Sequence, residues 1–169
     1  MAYDQRNQRV HTQVNNINVE AQPSPDPAVL LNEGIKLLDV KSYPQSINLF
    51  NDAIKANPSI AYVYYYLALA LLRGRRPKIL KRSEIEEIDQ LLATASAMGD
   101  FDATVYWFRA LVRYDYYVGN GMNCPSPSIE SILEFIRPGE TNIDRLRALL
   151  VKLPMTGNQM YMDLVNQIN

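Results

Sequence analysis

The chain has 169 residues, 47% hydrophobic and 21% charged, which is ordinary globular usage and enough length to bury the core of one domain. A net charge of −1 removes any whole-molecule attraction to nucleic acid or to a membrane surface. Cys124 is the only cysteine, so neither an internal disulfide nor a cysteine-based zinc site can form, and this usage fits a reducing cytoplasm.

Residues 1–27 are read as an arm and linker outside the folded body. The opening MAYDQRNQRVHTQ lacks the apolar run of a secretory signal, so export is not expected. The Asn/Gln-rich VHTQVNNINVE alternates Val10, Thr12 and Val14 before shifting to Ile17 and Val19, a composition prone to pairing between strands of different chains. Two readings stand: a disordered tail, or an extended segment across residues 8–20 that associates with a copy of itself or with a partner. Prolines from Pro23 to Pro27 punctuate the linker and are expected to break any helix there.

Helical spacing begins at Ala28. Leu30, Ile35, Leu37 and Leu38 mark one helix, and Ile47, Leu49, Phe50 and Ile54 mark a second. Between them, Ser42 is a candidate cap and Pro44 suits a first helical turn. After Asn57-Pro58 comes AYVYYYLALALL, residues 61–72. A bilayer helix needs roughly 20 apolar residues, so this stretch is too short to span. Its Leu and Ala content favours a helix over a strand, and a helix apolar nearly all round is expected to pack on more than one face.

RGRRPKILKR, residues 73–82, reads as a basic loop, with Gly74 and Pro77 preventing helix continuation. Ser83 followed by Glu86 has capping-box spacing and is expected to open a helix running to about Met98. FDATVYWFRALVRYDYYV supplies the next helix, stopped by GNGMNCPSP, and three shorter helices are expected near 128–136, 142–152 and 157–167. The domain boundaries are therefore 1–27 for the arm, 28–118 for helical hairpins and 119–169 for a helical cap.

The chain repeats itself. Ala61, Val63, Tyr64, Ala68 and Leu69 match Ala103, Val105, Tyr106, Ala110 and Leu111, 42 residues on. Residues 28–60 carry Leu30 and Gly34 on a first helix, Tyr43 at the turn, and Ser46, Phe50 and Ala53 on a second, closing on Asn57-Pro58. Small residues at Gly34, Ser46 and Ala53 allow close helix approach while Tyr43 and Phe50 fill the space beside it. This pattern resembles a tetratricopeptide repeat, whose unit is roughly 34 residues, and the basic loop absorbs the excess in the second unit. Glu33 and Leu37 depart from the family pattern, as do Arg109 and Arg113 in the third unit.

The resemblance implies an all-α stack of antiparallel hairpins whose first helices line a concave groove for a partner peptide or helix. Carried over by position, the lining is Leu31, Ile35 and Leu38, then Tyr62, Tyr65, Leu69 and Arg73, then Trp107, Leu111, Tyr114 and Asp115. An aromatic-rich face of this kind suits an interface core. The alternative is that the C-terminal helices fold back and bury these residues. Leu31, Ile35 and Leu69 stand where the family's carboxylate clamp for chaperone tails needs Lys or Asn, which argues against that ligand.

The basic residues Arg73, Arg75, Arg76, Lys78, Lys81 and Arg82 suggest contact with phosphates or an acidic partner, or a solvated loop neutralised by Glu84, Glu86, Glu87 and Asp89. No catalytic set is expected: His11, the only histidine, lies in the arm, remote in sequence from Cys124. No Asp/Glu/His set has metal spacing, and Gly119-Asn120-Gly121 lacks the context of a phosphate loop. No cofactor, metal or membrane contact is expected. The function this supports is a cytoplasmic, non-catalytic adaptor or scaffold, with a nucleic-acid or phosphate-responsive regulator, or a regulatory subunit of an enzyme complex, as the competing readings.

Overall fold

The computed structural model describes residues 25–99 and 102–168; the strand-pairing segment expected at residues 8–20 lies outside them. Among the described residues the fold is all-α. Helix α1, Pro27–Asp39, and helix α2, Tyr43–Ala56, form the first hairpin. Pro27 opens α1 instead of belonging to a helix-breaking linker. A proline at the first helical position has no N–H to leave unpaired and a preset φ, and the Asp26 carboxylate caps the turn by accepting the Ala28 N–H at 2.8 Å. Ser42 does stand at the N-cap of α2, but its hydroxyl donates to Gln45 Oε1 at 2.7 Å and accepts no backbone N–H.

The close approach expected of α1 and α2 is present. A Cβ added to Gly34 would lie 2.5 Å from the Phe50 ring. The Ser46 hydroxyl donates across the contact to the Gly34 carbonyl at 2.9 Å, and Phe50 and Ala53 are fully buried. Gly34 thus gives up helix propensity so that an aromatic ring can lie directly on the α1 backbone.

Helix α3, Ala61–Leu72, packs between α2 and helix α4, Arg82–Ala97, and eight of its twelve residues are buried, which accounts for its near-continuous apolar sequence. The connection contains one 3-10 turn at Pro77–Ile79. α4 starts two residues earlier than the Ser83–Glu86 pattern suggests. Its N-cap is Lys81, whose N–H donates to Glu84 Oε2 at 2.9 Å, because Glu84 and not Glu86 occupies the third helical position. Helix α5, Thr104–Tyr116, then packs on α4. Arg109 and Arg113, at positions where the repeat pattern prefers apolar residues, both point to Asp89 of α4, so this helix pair is joined through charges as well as through apolar contact.

The remainder consists of helix α6, Ile129–Leu133, helix α7, Ile143–Lys152, and helix α8, Gln159–Ile168. Ser128 caps α6 and Asn142 caps α7 through their side-chain oxygens. α7 buries Leu146, Leu149 and Leu150 against the body, and the Tyr161 hydroxyl of α8 donates to the Leu150 carbonyl at 2.9 Å. Lys152 at one end of α7 pairs with Asp39 of α1, while Arg145 at the other pairs with Asp102 and lies over the Tyr62 ring of α3. α7 therefore runs along the side of the stack formed by α1, α3 and α5.

Replacing Gly34 by Ala should lower stability by roughly 1–3 kcal/mol through overpacking against Phe50, despite the helix propensity gained. A urea titration checks this, and adding Phe50→Leu to the Gly34→Ala chain should recover part of the loss.

Candidate functional site

The eleven residues expected to line a groove stand on α1, on α3 and its C-cap, and on α5, and few of them are open. Leu38, Leu69 and Leu111 are buried, and Leu31 and Ile35 pack half-buried against the core. Tyr65 is 3% exposed, edge-on to Phe108 at 5.5 Å and to Tyr66 at 5.2 Å. Burial, reinforced by neighbouring Tyr66 and Asp102, pushes its phenol far above the ordinary value, so it stays neutral. Tyr62 is half-buried with the Arg145 guanidinium 5.0 Å from its ring centroid, a cation–π contact that holds the start of α7. Trp107 and Tyr114 are half-buried, and Trp107 Nε1 donates to Thr141 Oγ1 at 3.3 Å. Arg73 alone of the eleven is exposed.

Asp115 has a different role from the groove-lining one its position suggests. Its side chain is 1% exposed and accepts from four donors. Arg76 Nη2 reaches Oδ1 at 2.5 Å and Arg76 Nε reaches Oδ2 at 3.4 Å. The Lys78 N–H donates to Oδ2 at 3.0 Å, and Asn158 Nδ2 donates to Oδ1 at 3.1 Å. One carboxylate on α5 therefore ties down the basic loop and the turn between α7 and α8. Arg76 strengthens the same joint by donating through Nη1 to the Thr156 carbonyl at 3.0 Å.

The basic loop is largely paired off. Arg75 meets Glu84 and Arg82 meets Glu86, each at 2.8 Å, as local neutralisation predicts, while Arg76 turns inward to Asp115. Asp89, expected to help neutralise the basic loop, faces α5 instead: Arg109 grips it with two bonds and Arg113 with a third at 2.7 Å. Arg73, Lys78 and Lys81 have no ion pair among the described residues.

Of the clefts beside the docked C-terminal helices, two take in residues of the expected groove set. The larger, about 640 Å³, opens where α1, α3 and α7 end and is lined by Leu38, Leu69 and Arg73 of the expected set together with Lys41, Tyr43, Val151, Lys152 and Pro154. The smaller, about 310 Å³, has Trp107 and Tyr114 of α5 as its floor, with Ile129 and Leu133 of α6 on one side and Met160 and Leu164 of α8 on the other. Sequence reasoning missed the residues from α2, α6, α7 and α8. Their periodicity marks them as helical and amphipathic, but nothing in it says which surface they meet.

Comparison of the chain with protein-family models, with curated proteins and with solved structures gave no match. Among the described residues no group of His, Cys, Asp or Glu stands where it could hold a metal ion, and no helix is long and apolar enough to cross a membrane. Cys124 is a half-buried free thiol, and His11 lies outside the described residues.

Removing one partner of a buried ion pair leaves the other uncompensated, which typically costs 3–5 kcal/mol; with Arg76 about a third exposed, Asp115→Ala should cost roughly 2–3 kcal/mol in a denaturant titration. Asn158→Ala, which deletes one neutral hydrogen bond, should cost only about 1 kcal/mol.

Proposed function

We propose that this chain is a non-catalytic protein–protein interaction module of tetratricopeptide-like build, an adaptor or scaffold that holds a peptide or helical segment of a partner on its α1–α3–α5 side. The observation that supports this reading is the groove over Trp107 and Tyr114. Two helices, α6 and α8, rise on either side of α5 and leave a channel between them whose apolar residues are joined by Glu130, Gln159, Asp163 and Gln167, a mixed lining that suits an amphipathic segment. Tyr and Trp offer large contact area at low entropic cost, and Met160 offers a side chain that reshapes to fit. The same side of the stack already holds one amphipathic helix, α7, through Leu146, Leu149 and Leu150. A partner taken up here shares the side with α7 and α8 and need not displace them.

The polyanion-binding alternative draws on a loop in which Arg75, Arg76 and Arg82 are engaged by carboxylates. Residues 8–20 contribute self-association or recruitment in this scheme, from outside the described residues.

The test is selection of displayed peptides on the immobilised full chain, followed by titration of the selected ligands against Tyr114→Ala/Met160→Ala. Losing two anchors of this kind should weaken binding at least about tenfold, with the melting temperature within a few degrees of the parent. Ligands that bind a well-folded variant as tightly as the parent, or a selection that enriches nothing, would contradict the reading.

A further inference from the structure

The larger cleft has a charge pattern that its structural role does not account for. Helices α1, α3 and α7 all end at it, and each contributes a cation: Lys41, Arg73 and Lys152. Asp39 is the one carboxylate in the lining, and Lys152 already pairs with it. Lys41 and Arg73 remain, both exposed.

Cations at helix ends commonly serve the terminal carbonyls, but here backbone N–H groups have taken that task. Lys41 N–H donates to Leu38 O at 3.0 Å and Ser42 N–H to Leu37 O at 2.8 Å. At the end of α3, Arg73 N–H donates to Ala70 O at 3.0 Å and Arg75 N–H to Leu72 O at 2.9 Å. The two side chains are free to act outward.

Their backbones point the same way. Lys41 has φ 61° and Arg73 has φ 52°, and they are the two non-glycine residues with positive φ among the described residues. At a helix terminus this left-handed conformation normally falls to glycine, which takes it without the steric cost borne by a residue with a Cβ. Two long cationic side chains thus occupy, at one cleft, positions where glycine would be more stable. Strain of this sort collects at binding sites.

Beneath the cations the cleft is apolar. Leu38 and Leu69 form its floor, and Val151, 87% exposed, stands on its rim. An occupant therefore needs both an apolar anchor and negative charge. We propose that this cleft binds an acidic peptide segment of another protein, with a large apolar side chain seated against Leu69 and Val151 and flanking Asp or Glu residues paired to Lys41 and Arg73. The proposal rests on reading the chain as a peptide-binding module, and it assigns that module a second seat, separate from the channel over Trp107 and Tyr114.

The probes are fluorescein-labelled hexapeptides with a central Leu-Phe pair and two flanking residues on each side, all Glu, all Gln or all Lys. They are titrated against the full chain by fluorescence anisotropy. The Glu-flanked peptide should bind at least tenfold more tightly than the Gln-flanked one, the Lys-flanked one should not bind, and added salt should weaken the complex. Lys41→Glu/Arg73→Glu should abolish binding. Lys41→Gly/Arg73→Gly should weaken it at least tenfold while raising the melting temperature, a combination that a purely structural role for the two cations does not produce.

Equal binding of Glu- and Gln-flanked peptides, or unchanged binding to the charge-reversed chain, would overturn the assignment. Acidic-peptide binding lost in Tyr114→Ala/Met160→Ala but kept in the charge-reversed chain would move the ligand to the other channel and leave the module reading standing. Binding of no peptide of any charge at millimolar concentration would overturn both.

Discussion

The Asp115 carboxylate is the joint on which the arrangement of this molecule depends. It is carried by α5, removed from water, and shared between Arg76 of the basic loop, the Lys78 backbone and Asn158 at the entry to α8. An ionised carboxylate at such a site costs several kcal/mol to desolvate unless its oxygens are satisfied, and here each oxygen accepts at least two hydrogen bonds. The requirement works in both directions. The loop is held against α5 because Arg76 must reach the carboxylate, and the α7–α8 turn is held because Asn158 must complete its shell.

A second charged joint, of Asp89 with Arg109 and Arg113, binds α4 to α5 in the same manner. Arg113 extends it by donating to the carbonyls of Pro125 at 2.5 Å and Pro127 at 2.8 Å, which fixes the segment leading into α6. The first hairpin is built differently, by the apolar contact of Gly34 with Phe50 and the Ser46 hydrogen bond. The stack thus passes from close apolar packing at its N-terminal end to buried ion pairs at its C-terminal end. Arg109 and Arg113, which look like departures from a repeat pattern, are the residues that make this change.

That contrast explains what could be read from the chain alone. The order and extent of the helices follow from periodicity, because spacings such as Leu30–Leu38 or Ile85–Ile88–Leu92 report local amphipathicity, and Gly34, Ser46 and Ala53 report close approach between neighbours in sequence. Caps were less legible: Ser42 and Ser83 have the right chemistry, but a two-residue shift in helix start gives the role at α4 to Glu84. That the C-terminal helices fold back was one of two readings open from the sequence, but the contacts that dock α7 and α8 were not legible. Docking depends on contacts such as Asp39 with Lys152 and Asp115 with Asn158, which join residues far apart in sequence and have no local signature. The same limit turned Asp115 from an expected groove residue into a buried clamp.

Once docked, the C-terminal helices divide one face into two clefts of different character, a cation-rimmed one over Leu38 and Leu69 and an aromatic one over Trp107 and Tyr114. Both functional readings require that division to persist in solution. Amide hydrogen exchange followed residue by residue in α7 tests it most directly, since helices that open independently exchange through that opening and not through global unfolding. If α7 and α8 are locked on the body, the amides of Leu149 and Leu150 should be protected to the same degree as those at the centre of α3, and Asp115→Ala should reduce their protection more than that of α3. Exchange of Leu149 and Leu150 at rates near those of an unstructured peptide, with α3 still protected, would show that the face is open and that the two clefts do not exist as separate sites.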